Sequence, residues 1–108
     1  MAEFDPEQFE DKYANYFTEL QRAYKNAFET MNDRYDSELI HAIDQFVLAE
    51  SEPFYEGEGQ FRIELPEDPY DRLQGVVVGE EKFDEIMGRY LDEIETELQR
   101  VFGFDTSE

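Results

Sequence analysis

Apolar residues recur at intervals of three and four along the first third of the chain: Phe9, Tyr13, Tyr16, Phe17, Leu20, Ala23, Tyr24, Ala27, Phe28 and Met31. At about 100° per residue they form one stripe roughly 140° wide, so the spacing predicts a single amphipathic helix. It starts at Asp5-Pro6, where Asp5 can cap the first turn and Pro6 suits the first helical position. It stops near Asn32-Asp33, a length of about 26 residues or about 39 Å. A second helix opens at Asp36 or Ser37, buries Leu39, Ile40, Ile43, Phe46 and Val47, and ends before Pro53.

The period then changes from 3.6 to 2. Phe54 and Tyr55 precede Gly57-Glu58-Gly59, after which Phe61, Ile63 and Leu65 alternate with Arg62 and Glu64. Alternation across a glycine turn predicts a β-hairpin. Pro66 and Pro69 bracket a loop, and Leu73–Val78 reads as a third strand. Its unalternated Val76-Val77-Val78 suits a strand buried on both faces. Glu80-Glu81 opens the last helix, with Phe83, Ile86, Met87, Tyr90, Leu91, Ile94, Leu98, Val101 and Phe102 on its stripe. Gly103 is placed to stop it, with Phe104 folding back as the apolar contact of that cap. The expected fold is α+β in the order α-α-β-β-β-α, with a small antiparallel three-stranded sheet. It is read as one domain over residues 1–104, with 105–108 a frayed acidic tail.

Charge changes the picture. The chain has 29 acidic residues against nine basic ones, a formal net charge of −20, and only Lys12, Lys25 and Lys82 are lysines. In dilute buffer such a surface repels itself, whereas at molar salt the Debye length falls to about 3 Å. The acids are spread over both halves, as general adaptation to a salt-rich interior requires. The expected compartment is the cytoplasm, without a direct nucleic-acid or membrane partner, because anionic phosphate and lipid are repelled. The N-terminal MAEFDPEQF lacks the basic and apolar regions of a signal peptide. The absence of cysteine excludes disulfides, thiolate metal sites and thiol catalysis.

The stretches FDPEQFEDKY (Phe4–Tyr13), LQRAYKNAFETMNDRYDSEL (Leu20–Leu39) and SEPFYEGEGQFRIELPEDPYDRL (Ser51–Leu73) resemble a family of short acidic haloarchaeal proteins known only as a domain of unknown function. The resemblance implies an archaeal cytoplasm and supplies no catalytic residue.

Candidate chemistry is sparse. Glu38 and His41, the single histidine, stand at i and i+3, the spacing of di-iron carboxylate bundles. One copy is half of such a site, so a metal would have to be shared across a homodimer. Asn32, Asp33, Asp36 and Glu38 make an oxygen-rich loop without the glycine of an EF-hand, suited to hydrated potassium held weakly. Ser37, Ser51 and Ser107 lie in no nucleophile elbow, and no acid falls inside an apolar stripe where burial would raise its pKa. No cofactor is expected, and nothing positive marks an enzyme. The tyrosine excess points elsewhere: Tyr13, Tyr16 and Tyr24, with Tyr90, are the candidate surface for a protein partner or homodimer. A non-enzymatic interaction protein is therefore the leading reading. A Glu38/His41 metal protein and an acidic nucleic-acid mimic stand as alternatives.

Overall fold

The computed structural model describes residues 4–104 and is α+β, with five helices and one two-stranded antiparallel sheet. The helices are α1 Pro6–Phe9, α2 Lys12–Asn15, α3 Phe17–Arg34, α4 Ser37–Phe46 and α5 Glu80–Val101. The strands are β1 Glu52–Gly57 and β2 Gln60–Glu64. Helices α3 and α5 pack along one another, α4 lies against α3, and the hairpin packs on α5. Ala23, Ala27, Ile40, Ile43, Ile94 and Leu98 are wholly buried where these helices meet.

The long first helix is corrected to three pieces. The backbone leaves the helical region at Asp11 (φ −114°, ψ 51°) and again at Tyr16 (φ −131°, ψ 24°). The cause is a nest of aromatic rings. Phe4 lies 4.8 Å from Phe102, Tyr16 4.9 Å from Phe102, and Phe9 5.5 Å from Phe61, centroid to centroid. Each such pair contributes about 0.5–1.5 kcal/mol beyond the area it buries. A few helical hydrogen bonds, each worth about 1 kcal/mol net, do not outweigh them. The breaks are also closed by side chains: Asn15 Nδ2 donates to the Gln8 carbonyl, and the Asp5 N–H donates to the Tyr16 hydroxyl, both at 3.0 Å.

The helix ends otherwise follow the local chemistry. Asp5 and Asp36 cap α1 and α4 by accepting from the N–H groups of Glu7 and Glu38. At the end of α5, Gly103 has φ +83°, its N–H donates to the Arg100 carbonyl, and the Phe104 N–H donates to the Gln99 carbonyl. This is the double-bonded glycine cap. It turns the Phe104 ring back to stack on Tyr55 at 5.8 Å. The acidic tail expected at 105–108 lies outside the described residues.

The hairpin forms as its alternation predicts, with Tyr55 opposite Phe61 and Pro53 opposite Ile63. Glu58 and Gly59 both have positive φ (55° and 77°), the signs of the tight turn whose twist matches paired strands. The third strand is overturned: Leu73–Val78 has no sheet partner among the described residues, and Val77 is fully exposed. Two physical reasons account for it. Gly75 takes φ +78° and breaks the extended run. No open ladder faces it either, because the outward Phe61 N–H of β2 is already held by the Glu95 carboxylate at 2.9 Å. On the outer edge of β1, Pro53 carries no N–H to offer. The segment is fastened instead by the Tyr70 hydroxyl, which donates to the Val78 carbonyl.

Candidate functional site

Helix α3 presents Phe17, Leu20, Gln21 and Tyr24 along one face, and Tyr13 of α2 continues that row one turn earlier. Opposite them run Leu48, Ala49, Ser51 and Pro53, the single-turn 3₁₀ segment and its entry into β1. Between the two rows lies an apolar groove of about 220 Å³. Leu20 and Leu48 are its buried floor, whereas Tyr13 and Phe17 stand 54% and 52% exposed on its rim. The far wall is fixed by hydrogen bonds. Ser51 Oγ donates to the Leu48 carbonyl at 2.7 Å, so the Tyr24 hydroxyl, 3.3 Å away, donates to Ser51 Oγ. Burial is the main cause that pushes the Tyr24 pKa up to about 12, and the nearby Glu52 charge adds to it. Burial, then the Glu52 charge, also raises that of Tyr13.

Beyond Tyr13 the groove meets a buried cation. Lys12 is 4% exposed, and its Nζ lies 2.9 Å from Glu52 Oε2. The rings of Phe54, Phe9 and Tyr13 surround it at 4.9, 5.3 and 5.4 Å. Three aromatic faces and one carboxylate replace the water an ammonium would otherwise keep. The Lys12–Glu52 pair also lines a second groove, of about 380 Å³, together with Pro6, Phe9, Glu10, Phe54 and Tyr55.

A third, polar cleft between α3 and α5 is lined by Asn26, Glu29, Thr30, Asp33, Glu97 and Arg100. Glu97 corrects the expectation that no acid lies in an apolar stripe. It is 4% exposed, accepting from Arg100 at 2.8 Å and from Asn26 Nδ2 at 3.3 Å. Its one sequence signal is the i, i+3 pairing with Arg100.

The four tyrosines read as a surface part company. Tyr13 and Tyr24 line the groove, while Tyr16 and Tyr90 are 8% and 1% exposed. The two buried hydroxyls also differ. That of Tyr16 accepts from the Asp5 N–H and donates to Gln8 Oε1. That of Tyr90 has no hydrogen-bond partner among the described residues, and burial, followed by the Asp44 and Tyr24 charges, drives its pKa well up. Removing a bonded hydroxyl costs about 1 kcal/mol, whereas removing an unpaired buried one returns its desolvation cost of about 1–3 kcal/mol. Tyr16→Phe is therefore expected to lower stability by about 1 kcal/mol, and Tyr90→Phe to raise it by a similar amount. Urea titrations of both variants read the two signs; the same sign for both would contradict this assignment.

Glu38 and His41 are exposed on α4. His41 Nδ1 lies 2.9 Å from the Ser37 carbonyl, and its ring stands edge-on to Phe28 at 4.9 Å. Among the described residues no three histidine or carboxylate side chains are grouped to hold a metal ion. Nor, among them, is any helix long and apolar enough to cross a membrane.

Residues 1–105 match the model of a family of unknown function, DUF5783, and the chain belongs to that family. No curated protein and no solved structure matches it.

Proposed function

We propose that this member of the family is a non-enzymatic docking protein that binds a segment of a partner protein in the groove between α3 and Leu48–Pro53. The observation that carries this reading is the pair of large aromatic side chains, Tyr13 and Phe17, left half in water on the rim of an apolar cleft whose floor is buried. Aromatic residues around a desolvated pocket are the usual seat of binding energy between proteins. Volume supports the same reading. Sites for drug-sized ligands occupy about 300–1,000 Å³, and the groove, at about 220 Å³, suits one or two side chains. Its wall groups are hydroxyls and an amide, chemistry that orients a bound segment.

Affinity capture from source cells in molar KCl tests the proposal, with wild type compared against the Tyr13→Ala/Phe17→Ala double variant. Both side chains are about half exposed; Phe17→Ala costs about 0.5 kcal/mol or less, and Tyr13→Ala about 0.5–1 kcal/mol more for the ring face it withdraws from Lys12, so the double variant stays folded. The expected result is one stoichiometric partner, recovered at least tenfold less with the variant, as the loss of a hot-spot aromatic predicts. Equal recovery by both proteins would overturn the proposal.

A further inference from the structure

We propose that the docked segment is cationic: an apolar side chain enters the groove under Tyr13 and Phe17, and a neighbouring lysine or arginine enters the adjoining groove at Glu10 and Glu52. This inference rests on the docking reading above and names the chemistry of its partner. The second groove, of about 380 Å³, sets the carboxylates of Glu10 and Glu52 against the single ammonium of Lys12, beside the rings of Phe9, Phe54 and Tyr55, so one negative charge is left over for an incoming cation. The protein already uses that composition twice at this place. The Lys12 ammonium is held by Glu52 and three rings, and the Arg62 guanidinium lies 4.8 Å from the centroid of Phe54.

Capacity remains in the carboxylates after those contacts. Glu52 commits Oε2 to Lys12 and is still 45% exposed. Glu10 is exposed and has no ion pair among the described residues. The two grooves are neighbours: Tyr13 and Pro53 of the first directly follow Lys12 and Glu52 of the second in the chain, and the Lys12 ammonium lies 5.4 Å from the Tyr13 ring. The proposed segment spans both. Charge complementarity selects the occupant. At contact distance Glu10 and Glu52 favour a basic side chain even where salt screens the rest of the −20 charge, and in dilute buffer that charge also repels a second copy and nucleic acid.

The test pans a display library of random linear peptides against the folded protein, in the KCl concentration at which circular dichroism reports the native helix content. Recovered peptides are then synthesised with arginine and with citrulline, which keeps the shape and removes the charge. The expected result is peptides that pair an apolar residue with arginine or lysine and lose binding at least tenfold on Phe17→Ala. They should also weaken at least tenfold on arginine-to-citrulline exchange and severalfold on Glu10→Gln, a surface change that leaves the Lys12–Glu52 pair intact. Peptides that depend on Phe17 yet bind equally well as citrulline forms would overturn the cationic partner and leave the docking groove standing. If no recovered peptide responds to Phe17→Ala, the groove reading itself fails, and this inference with it.

Discussion

Phe61→Ala is expected to lower the free energy of unfolding by about 3–5 kcal/mol, the usual range for removing a buried aromatic ring. Domains of this size hold about 5–15 kcal/mol in all, so the loss amounts to about a fifth of that stability at the least. Phe61 is 5% exposed and touches rings from every part of the nest: Phe4 at 5.8 Å, Phe9 at 5.5 Å, Tyr55 at 5.2 Å, Phe102 at 5.8 Å and Phe104 at 6.1 Å. Phe4 precedes α1, and Phe102 and Phe104 follow α5, so this one side chain joins the two ends of the described chain to the hairpin. Its own N–H also ties β2 to α5 through Glu95. Rings cannot close over a void without moving the helices that carry them, so relaxation recovers little of the loss. Val77→Ala, at a fully exposed position, is the matched control and should stay within about 0.5 kcal/mol of wild type. Urea unfolding followed by circular dichroism measures both, and a loss below about 1 kcal/mol at Phe61 would show that the nest does not hold the fold.

The elements legible in the sequence are those in which one local signal decides. Helices α4 and α5 follow their stripes and caps, the hairpin follows period two around Gly57–Gly59, and Gly103 with Phe104 closes α5 as their order suggests. What could not be read depends on contacts distant in the chain. A stripe from Phe9 to Met31 is compatible with one straight helix, and only the rings of Phe61 and Phe102 make it pay to bend at Asp11 and Tyr16. Three valines look like a buried strand until Glu95 is seen to occupy the edge they would pair with.

 The Glu95 carboxylate reaches that edge from α5, 34 positions along the chain from Phe61, a distance no local pattern spans. The site is similar. Tyr13, Phe17 and Tyr24 sit on the same stripe as buried Leu20, and nothing in the spacing says that the 48–53 segment stops short of covering Tyr13 and Phe17. Lys12 and Glu97 are charged residues at apolar positions, and each is buried because a partner far along the chain, Glu52 or Asn26, meets its charge or its lone pair.

Raising KCl from about 0.1 M to about 1 M should increase the free energy of unfolding by several kcal/mol. Two like charges about 10 Å apart in water repel by about 0.4 kcal/mol. They feel one another at a Debye length of about 10 Å and are hidden at about 3 Å. The chain carries 20 uncompensated negative charges on a body whose radius of gyration is 14.2 Å, so each has several such neighbours. The expanded denatured chain holds them further apart and gains less from salt. Screening also weakens ion pairs, but that loss is small. Among the described residues the pairs of Arg62 with Glu56 and Glu64, and of Arg89 with Glu85, are exposed on both sides. Exposed pairs contribute about 0–1 kcal/mol each. Repulsion therefore decides the sign. A variant carrying Glu29→Gln, Asp84→Asn and Asp92→Asn, all at exposed positions, separates screening from a general salt effect on apolar burial. If repulsion is the cause, this variant is more stable than wild type at about 0.1 M KCl and indistinguishable from it at about 1 M, where the charges it removes are already hidden. Parallel salt curves for the two proteins would assign the gain to stronger apolar burial instead, and a flat curve for wild type would mean that the acidic surface is no burden in dilute buffer and needs another explanation.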